Sequence, residues 1–285
     1  MDELEGITEI IVRSLDSLLD YQDYPVKAAE ITSKNRRTLG IGVTNLAYYL
    51  AKNNAKYSDG SGNELIHKTF EALQFYSLKA SNKLANDFGA CPLFSETQYA
   101  KGILPIDSYK KDIDEFCDTK LDLDWDSLRK DIKATGLRNS TLTALMPCES
   151  SSQISNSTNG IEPPRGFVSI KQSKDGILKQ VVPEYEKFNK KYELLWDVKD
   201  NEGYLQLCAI MQKFVDQSIS TNTHYDPSQF EGGKVPMKLF LMDLLKAYKY
   251  GIKTLYYHTT RDGASDDQND NRPTDDDCED GVCKL

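Results

Sequence analysis

The segment from Trp125 to Pro147 has the sequence WDSLRKDIKATGLRNSTLTALMP and indicates the fold class most clearly. Its first half completes a helical pattern that begins near Asp107 and stops at Gly136, a residue type that commonly ends helices. Its second half is an apolar run rich in strand-forming residues, and a proline closes it. Helices that alternate with strands predict an α/β fold.

The same alternation continues on both sides of this stretch. An amphipathic helix opens the chain and is broken by Pro25, and a long helix from Glu64 to Phe88 is closed by Gly89. The other predicted elements are, in chain order, a polar segment through 35–37, a glycine turn that opens a helix within 38–50, a β-hairpin over 167–183 with its turn at 174–176, helices at about 184–196, 202–219 and 236–250, and a last strand at 251–257.

The composition excludes several classes of protein. With 39% hydrophobic and 28% charged residues over 285 positions, the chain can bury a core. Its net charge of -9 argues against binding the phosphate backbone of nucleic acid, which needs a basic face. No apolar run approaches the roughly 20 residues of a membrane span, and no signal-like leader opens the chain, so a cytoplasmic location is expected.

Cysteine and histidine usage also limits the chemistry. Six cysteines spread over the chain are too sparse for a secreted disulfide framework. None of the three histidines lies at ligand spacing from a cysteine pair. We therefore expect no metal site in the chain.

A candidate anion site follows Pro147 directly. Residues 148–152, with the sequence CESSS, open a predicted helix. The free N–H groups and the hydroxyls at such a helix start can receive a phosphate, although the Glu149 carboxylate must then turn away. The alternative is an ordinary serine-rich helix cap without a ligand, and capping is the commoner use of such residues.

The residues after Thr259 lose the apolar pattern and contain nine acidic and three basic side chains, which predicts a flexible tail. Near its end lies Cys278-Glu-Asp-Gly-Val-Cys283, in which Gly281 can turn the chain so that the two sulfurs meet. The acids beside Cys278 should raise the pKa of its thiol, whereas Lys284 should lower that of Cys283, which predicts Cys283 as the first attacking thiolate. The cysteines are either a redox pair or incidental tail residues.

Two adjacent tyrosines, Tyr256 and Tyr257, end the last predicted strand. Successive side chains on a strand point to opposite faces. The pattern alone therefore predicts one ring in the core and one at the surface.

The pattern Trp125-x-x-Leu128-x7-Gly136-Leu-Arg138-Asn139-x3-Thr143-Ala144-x2-Pro147 resembles the signature of the ribonucleotide reductase large subunit at every defined position. The likeness extends over essentially the whole chain and is greatest to the class Ia enzymes of enterobacteria and their large phages. The further matching segments are 36–43, 57–60, 101–106, 154–156, 159–166, 216–220 and 253–257.

The resemblance implies the later part of a ten-stranded α/β barrel, with a small α/β insertion and a flexible C-terminal tail. The implied segments are a barrel part with the phosphate loop over 1–166, a small α/β subdomain over 167–237, the last barrel helix and strand with the tyrosine pair over 238–258, and a redox tail over 259–285. A flexible chain of the length between Tyr257 and Cys278 would span roughly 25 Å.

The resemblance also assigns roles to residues. Glu149, Ser150 and Ser151 match the loop that receives the diphosphate of a ribonucleoside diphosphate. Tyr256 and Tyr257 match the pair that passes the radical from the diiron-tyrosyl site of the small subunit. Cys278 and Cys283 match the tail dithiol that thioredoxin or glutaredoxin recharges. The helix around 237–245 matches part of the groove that binds the small subunit's C-terminal tail.

Two departures from the family pattern qualify this interpretation. Cys148 stands where a small hydroxyl residue is expected, which predicts an oxidation-prone thiol beside the phosphate loop. The family's thiyl cysteine, catalytic glutamate, active-site dithiol and allosteric sites belong to a segment upstream of residue 1. We therefore expect a split or truncated subunit, active only with an N-terminal piece and the small subunit. The alternatives are an inactive remnant or regulatory chain that binds the small subunit, and a free thiol-disulfide carrier, which the lack of a Cys-x-x-Cys helix disfavours.

Overall fold

The computed structural model describes residues 3–173, 176–261, 278–279 and 282–283. The helices are α1 Leu4–Tyr21, α2 Lys27–Arg36, α3 Leu46–Lys52, α4 Asn63–Phe88, α5 Pro105–Ser108, α6 Trp125–Thr135, α7 Glu149–Ile154, α8 Tyr185–Phe188, α9 Glu202–Gln212 and α10 Met237–Lys249. The strands are β1 Val168–Ser173, β2 Gly176–Val181, β3 Thr221–Tyr225, β4 Leu255–Thr260, β5 Cys278–Glu279 and β6 Val282–Cys283. Within the described residues, no helix is both long enough and apolar enough to cross a membrane.

A wall of parallel backbone segments organises the chain. Residues 39–42 pair in parallel with 141–145 through Ile41 and Thr143, and the latter segment pairs in parallel with 217–220 through Leu145 and Ile219. β3 continues this third segment and pairs in parallel with β4. Four neighbouring parallel segments with helices between them are the pattern of a section of an α/β barrel.

The long helix α4 carries the core behind this wall. It packs against α1, α6 and α9, and its inward side chains are buried, Ile66, Phe70 and Leu78 almost completely. Burial of such side chains contributes about 1.5–3 kcal/mol each. The helix ends where expected, at Gly89, and α6 ends at Gly136.

A buried ion cluster fastens α1 to the wall and explains part of the sequence signature. Asp16 of α1 accepts hydrogen bonds from Arg37 at 2.6 Å, from Arg138 at 3.2 Å and from Asn139 at 2.9 Å. Arg37 also pairs with Asp20, and this hydrogen bond lowers the pKa of the Asp20 carboxyl. Arg138 and Asn139 thus recognise a helix more than a hundred residues away.

We expect Asp16→Asn to lower the free energy of unfolding by about 3 kcal/mol, because removing one partner of a buried ion pair leaves a charge uncompensated. Arg37 and Arg138 would both lose their carboxylate at this point. Denaturant unfolding of the full chain measures the change. The matched control is Glu9→Gln on the same helix, whose ion pair with Lys83 is at the surface and should contribute no more than about 1 kcal/mol. Equal losses for the two variants would contradict the assignment.

Several predicted elements are confirmed, and others are wrong. The hairpin forms as β1 and β2, although residues 174 and 175 of its turn lie outside the described residues. The helix predicted at about 184–196 is limited to α8, which ends at Phe188. The polar segment through 35–37 contains the end of α2, a helix that the sequence pattern did not predict and that ion pairs of Glu30 with Lys27 and Lys34 stabilise. The glycine segment is extended until Asn45, because residues 39–42 pair with the neighbouring wall segment.

The helix predicted over 202–219 is also shorter than expected. α9 ends at Gln212, whose side-chain amide donates to the carbonyl oxygens of Val215 and Gln217 and so turns the chain. Residues 217–225 are wall instead of helix. β3, which falls inside the predicted subdomain 167–237, therefore pairs with β4, which begins inside the predicted segment 238–258. The bounds of the four predicted segments themselves stay a prediction.

Candidate active site

The serine-rich loop and the tyrosine pair lie at the same end of the parallel wall. The Cα pairs that fix the register are Leu145 with Ile219 and Thr221 with Leu255. In this register, the loop that starts at Pro147 and the pair Tyr256–Tyr257 begin at the same height of the wall, on either side of β3. Two interstrand spacings, or about 10 Å, therefore separate them. The carboxyl ends of parallel strands are where barrels and open α/β sheets bind ligands.

The serines of the loop do not cap the helix that they open. Cys148 is the residue before α7, and no side chain makes a cap hydrogen bond there. The Ser152 hydroxyl donates to the carbonyl oxygen of Glu149, within the helix. Ser150 and Ser151 are exposed at the start of α7. Because the first N–H groups of a helix have no partner within it, this end can receive an anion.

Neighbouring elements hold the loop in place. The Cys148 N–H donates to the side-chain oxygen of Asn159 at 3.2 Å. Gln180 of β2 donates to the carbonyl oxygens of Ser152 at 3.2 Å and Ser157 at 3.1 Å. The hairpin thus supports the far end of α7 while Asn159 supports its start. Such second contacts fix the geometry that a phosphate would meet.

Gly42 allows the neighbouring segment to approach the strand that leads into the loop. A Cβ atom at this position would lie 2.9 Å from the Ala144 carbonyl oxygen and 2.8 Å from the Met146 sulfur. The same addition at Gly40 would meet nothing closer than 3.4 Å. A close backbone approach therefore requires glycine at position 42 but not at position 40.

We expect Gly42→Ala to lower the free energy of unfolding by about 1–3 kcal/mol, the usual cost of forced overpacking. The strand at Ala144 must shift, and the loop after Pro147 moves with it. Gly40→Ala is the matched control and should leave the free energy of unfolding unchanged. Denaturant unfolding of the two variants side by side tests this, and an unchanged Gly42→Ala protein would show that the approach is not tight.

The prediction that Cys148 is an oxidation-prone thiol is wrong. The side chain is buried, and its sulfur lies 3.1 Å from the Met146 carbonyl oxygen. Burial raises the pKa of this thiol, which reduces the thiolate that oxidants attack. Cys91, Cys117 and Cys208 are buried as well.

Both tyrosines of the pair are at the surface, so the predicted division between core and surface is also wrong. Tyr256 is 52% and Tyr257 58% exposed. Their ring centroids lie 4.2 Å apart at an interplanar angle of 53°, and their hydroxyl oxygens are 3.5 Å apart. The hydrogen bond with Tyr256 raises the pKa of Tyr257 above its ordinary value.

A β-bulge explains why the two rings share one side. Thr221 pairs with Leu255 and Thr223 with His258, so one residue of β3 faces two residues of β4. The two residues are the tyrosines. An extra residue in a strand interrupts the alternation of side chains.

The tail cysteines face each other in backbone register. β5 and β6 are antiparallel, with Cys278 opposite Cys283. Directly opposed residues have Cα atoms about 4.5–5.5 Å apart, a separation that a disulfide can span. Most of the predicted flexible tail lies outside the described residues, namely 262–277, 280, 281, 284 and 285.

α10 presents an apolar face to solvent. The exposed side chains are Met237, Leu241, Met242, Leu244, Leu245 and Tyr248. An apolar group of this kind on one helix marks an interaction surface. In the described part of the chain, no group of three or more histidine, cysteine, aspartate or glutamate side chains is placed to hold a metal ion.

The parallel wall and the two features at its carboxyl end define a class of protein. The chain matches the family described as ribonucleotide reductase, barrel domain, over residues 1–258, and it belongs to that family. The predictions of this family and of a partial α/β barrel are confirmed.

The curated relatives specify the subunit. The chain is 69% identical to the ribonucleoside-diphosphate reductase subunit alpha of Haemophilus influenzae over 96% of its length. It is 66% identical to the ribonucleoside-diphosphate reductase 1 subunit alpha of Escherichia coli over 94% of its length. It is 52% identical to the ribonucleoside-diphosphate reductase subunit alpha of Enterobacteria phage T4 over 100% of its length. It spans only 36%, 35% and 37% of these three relatives.

Proposed function

We propose that this chain forms the part of a ribonucleoside-diphosphate reductase alpha subunit that holds the substrate diphosphate, relays the radical and delivers electrons. The single observation that carries the proposal is the position of the loop and the tyrosine pair at one end of the parallel wall. In complex with the remaining part of the subunit and with the small subunit, the chain would reduce ribonucleoside diphosphates to deoxyribonucleoside diphosphates. The thiyl cysteine that abstracts the substrate hydrogen would come from the remaining part.

The substrate diphosphate binds at the start of α7. The N–H groups of the first turn and the hydroxyls of Ser150 and Ser151 donate to phosphate oxygens. Glu149 is exposed, and its N–H belongs to the first turn. Asn159 keeps this end of α7 in place, and Gln180 supports the far end.

The tyrosine pair carries the radical between the small subunit and the active site. The small subunit supplies the diiron-tyrosyl site from which the radical starts. Within this chain, each phenol loses a proton and an electron together and regains both on the return. Two adjacent rings with hydroxyl oxygens 3.5 Å apart provide a short path for both particles.

The tail cysteines reduce the disulfide that each turnover leaves at the active site. The Cys283 thiolate attacks one sulfur of that disulfide, and the other sulfur leaves as a thiolate. Cys278 then attacks the mixed disulfide, so the tail becomes the disulfide and the active site holds two thiols. The dithiol of thioredoxin or glutaredoxin reverses the oxidation of the tail.

The apolar face of α10 is the proposed contact for the small subunit. Leu241 and Leu245 are one helical turn apart and both exposed, as anchors of a docked segment need to be. The face lies on the helix that precedes β4. Phe240 of the same helix contacts His258 of β4, with ring centroids 4.6 Å apart, so a partner bound to α10 would lie close to the strand that carries the tyrosines.

Replacing Ser150 and Ser151 by alanine together tests the phosphate site. Each hydrogen bond to a charged oxygen contributes about 1.5 kcal/mol, so we expect the KM for a ribonucleoside diphosphate to rise about 100-fold in the assembled enzyme. kcat should change little, since the diphosphate is bound equally in the ground and transition states. Ser155→Ala, at the other end of α7, is the control. A KM that stays within a factor of two would refute the site.

A further inference from the structure

The bulge at the tyrosine pair leaves a backbone group to be satisfied. Two residues of β4 face the single residue Asn222 of β3, so the regular ladder is interrupted there. The Tyr257 N–H donates to the side-chain oxygen of Asn222 at 2.9 Å. This side chain therefore supplies an acceptor where the bulge interrupts the backbone ladder.

Glu162 fixes the orientation of this side chain. The amide nitrogen of Asn222 donates to the Glu162 carboxylate. An amide held by its nitrogen must present its oxygen on the opposite side, and that oxygen is the acceptor for Tyr257. Without Glu162, the Asn222 amide could rotate and offer a donor to the Tyr257 N–H, which is itself a donor.

The surroundings of Glu162 strengthen its need for this donor. Its side chain is only 26% exposed, and burial raises the pKa of the carboxyl. The nearest His224 nitrogen is 3.6 Å away, and burial lowers the pKa of that imidazole to about 4, so it carries no charge at neutral pH. A half-buried carboxyl group beside a neutral ring gains most from a short hydrogen bond.

The segment that contains Glu162 also reaches the phosphate loop. Asn159, three residues earlier, accepts the Cys148 N–H at the start of α7. One short segment therefore holds both features of the candidate site. Its rigidity comes partly from the two prolines that follow Glu162.

We infer that Asn222, oriented by Glu162, is a positioning residue that holds the bulge and thereby keeps the Tyr256 and Tyr257 rings in contact for radical transfer. The inference rests on the proposed relay for its functional meaning, while its structural content is independent of it. Both side chains act through the backbone of Tyr257.

Two variants separate the hydrogen bonds from the bulk of the side chains. Asn222→Leu removes the acceptor and the donor. The double variant Asn222→Asp with Glu162→Gln exchanges donor and acceptor, since the new amide can donate to the new carboxylate while its second oxygen still accepts the Tyr257 N–H. Asn222→Asp alone is the smaller change and places two carboxyl groups together.

Thr223→Val is the matched control on the same strand. It removes the 2.6 Å hydrogen bond between the Thr223 hydroxyl and His258, which belong to the register pair that follows the bulge. Any general weakening of the β3–β4 pair should appear in this variant as well.

The first measurement uses the full chain with 3-fluorotyrosine placed at position 257 and follows its pKa by fluorine NMR. We expect the pKa of this phenol to fall back toward its unpaired value in Asn222→Leu and in Asn222→Asp, and to return in the double variant. Thr223→Val should leave it unchanged. An unchanged pKa in both single variants would overturn the inference, whether or not the relay proposal holds.

The second measurement uses the assembled enzyme. We expect kcat to fall at least about tenfold in the single variants and to recover within about threefold in the double variant, because small displacements of reacting groups cost large factors in rate. The KM for the diphosphate should not change. Full turnover in Asn222→Leu beside a dead Tyr257→Phe enzyme would overturn the inference and leave the relay standing. Full turnover in Tyr257→Phe would overturn the relay instead.

Discussion

Tyr257→Phe is expected to lower the turnover of the assembled enzyme by on the order of a thousandfold or more, which corresponds to about 4 kcal/mol of barrier. Phenylalanine keeps the ring and its contact with Tyr256 but has no O–H to lose, so the proton and electron cannot leave together. Diphosphate affinity should be unchanged, since the phosphate loop is on another segment of the wall. Stability should also change by less than about 0.5 kcal/mol, because the hydroxyl is at the surface.

Tyr21→Phe is the control for this substitution. Tyr21 is 87% exposed at the end of α1, and it has no role in the proposed relay. Both variants are assayed for diphosphate reduction with saturating small subunit and reductant. Retention of more than a tenth of the turnover in Tyr257→Phe would contradict the proposed path.

Cys278→Ser is expected to abolish turnover that is driven by thioredoxin, by at least about 100-fold, and to spare turnover driven by a small dithiol such as dithiothreitol. A serine cannot form the tail disulfide, so electrons from thioredoxin have no carrier. A small reductant can enter the active site directly. The opposed positions of Cys278 and Cys283 make the same prediction for Cys283→Ser.

The ratio of the two activities distinguishes a carrier from a structural role. Cys91→Ser, a buried cysteine far from the tail in sequence, is the control and should affect both reductants alike if it affects either. Equal loss with thioredoxin and dithiothreitol in Cys278→Ser would contradict the shuttle. So would full activity with thioredoxin.

Local patterns predicted much of the fold because their causes are local. The helix that ends at Gly89 and the hairpin over 167–183 depend on residues a few positions apart, and both formed as predicted. The end of α9 could not be predicted in the same way. The Gln212 side chain turns back onto Val215 and Gln217, and helical propensity alone would let the helix continue.

The tyrosine pair shows the same limit in the candidate site. Strand alternation is a local rule, and it assigned the rings to opposite faces. The bulge that overrides it depends on Asn222, 35 residues earlier in the chain, and on Glu162 beyond that. The sequence offered only one signal, a matched family segment at 159–166, and that signal carried no role for Glu162.

Buried acids are a second group that sequence patterns miss. Asp216 accepts hydrogen bonds from the N–H groups of Leu142 and Thr143 and from the Tyr99 hydroxyl, and burial raises the pKa of its carboxyl. Asp16 has a similar role in the ion cluster. The chain has 44 acidic residues, and the local hydropathy pattern does not distinguish these two from the acids at the surface.

Reconstitution from separate parts is the most direct test that the chain acts as part of a ribonucleoside-diphosphate reductase alpha subunit. The full chain is mixed with the small subunit and with a separately produced segment of a related alpha subunit, such as that of Escherichia coli, that ends where the match to this chain begins. Reduction of a ribonucleoside diphosphate is then measured with thioredoxin as the reductant. We expect turnover in the three-part mixture and none when any one part is omitted. A chain that assembles with both other parts but supports no turnover, or turnover that does not require the chain, would contradict the proposed function.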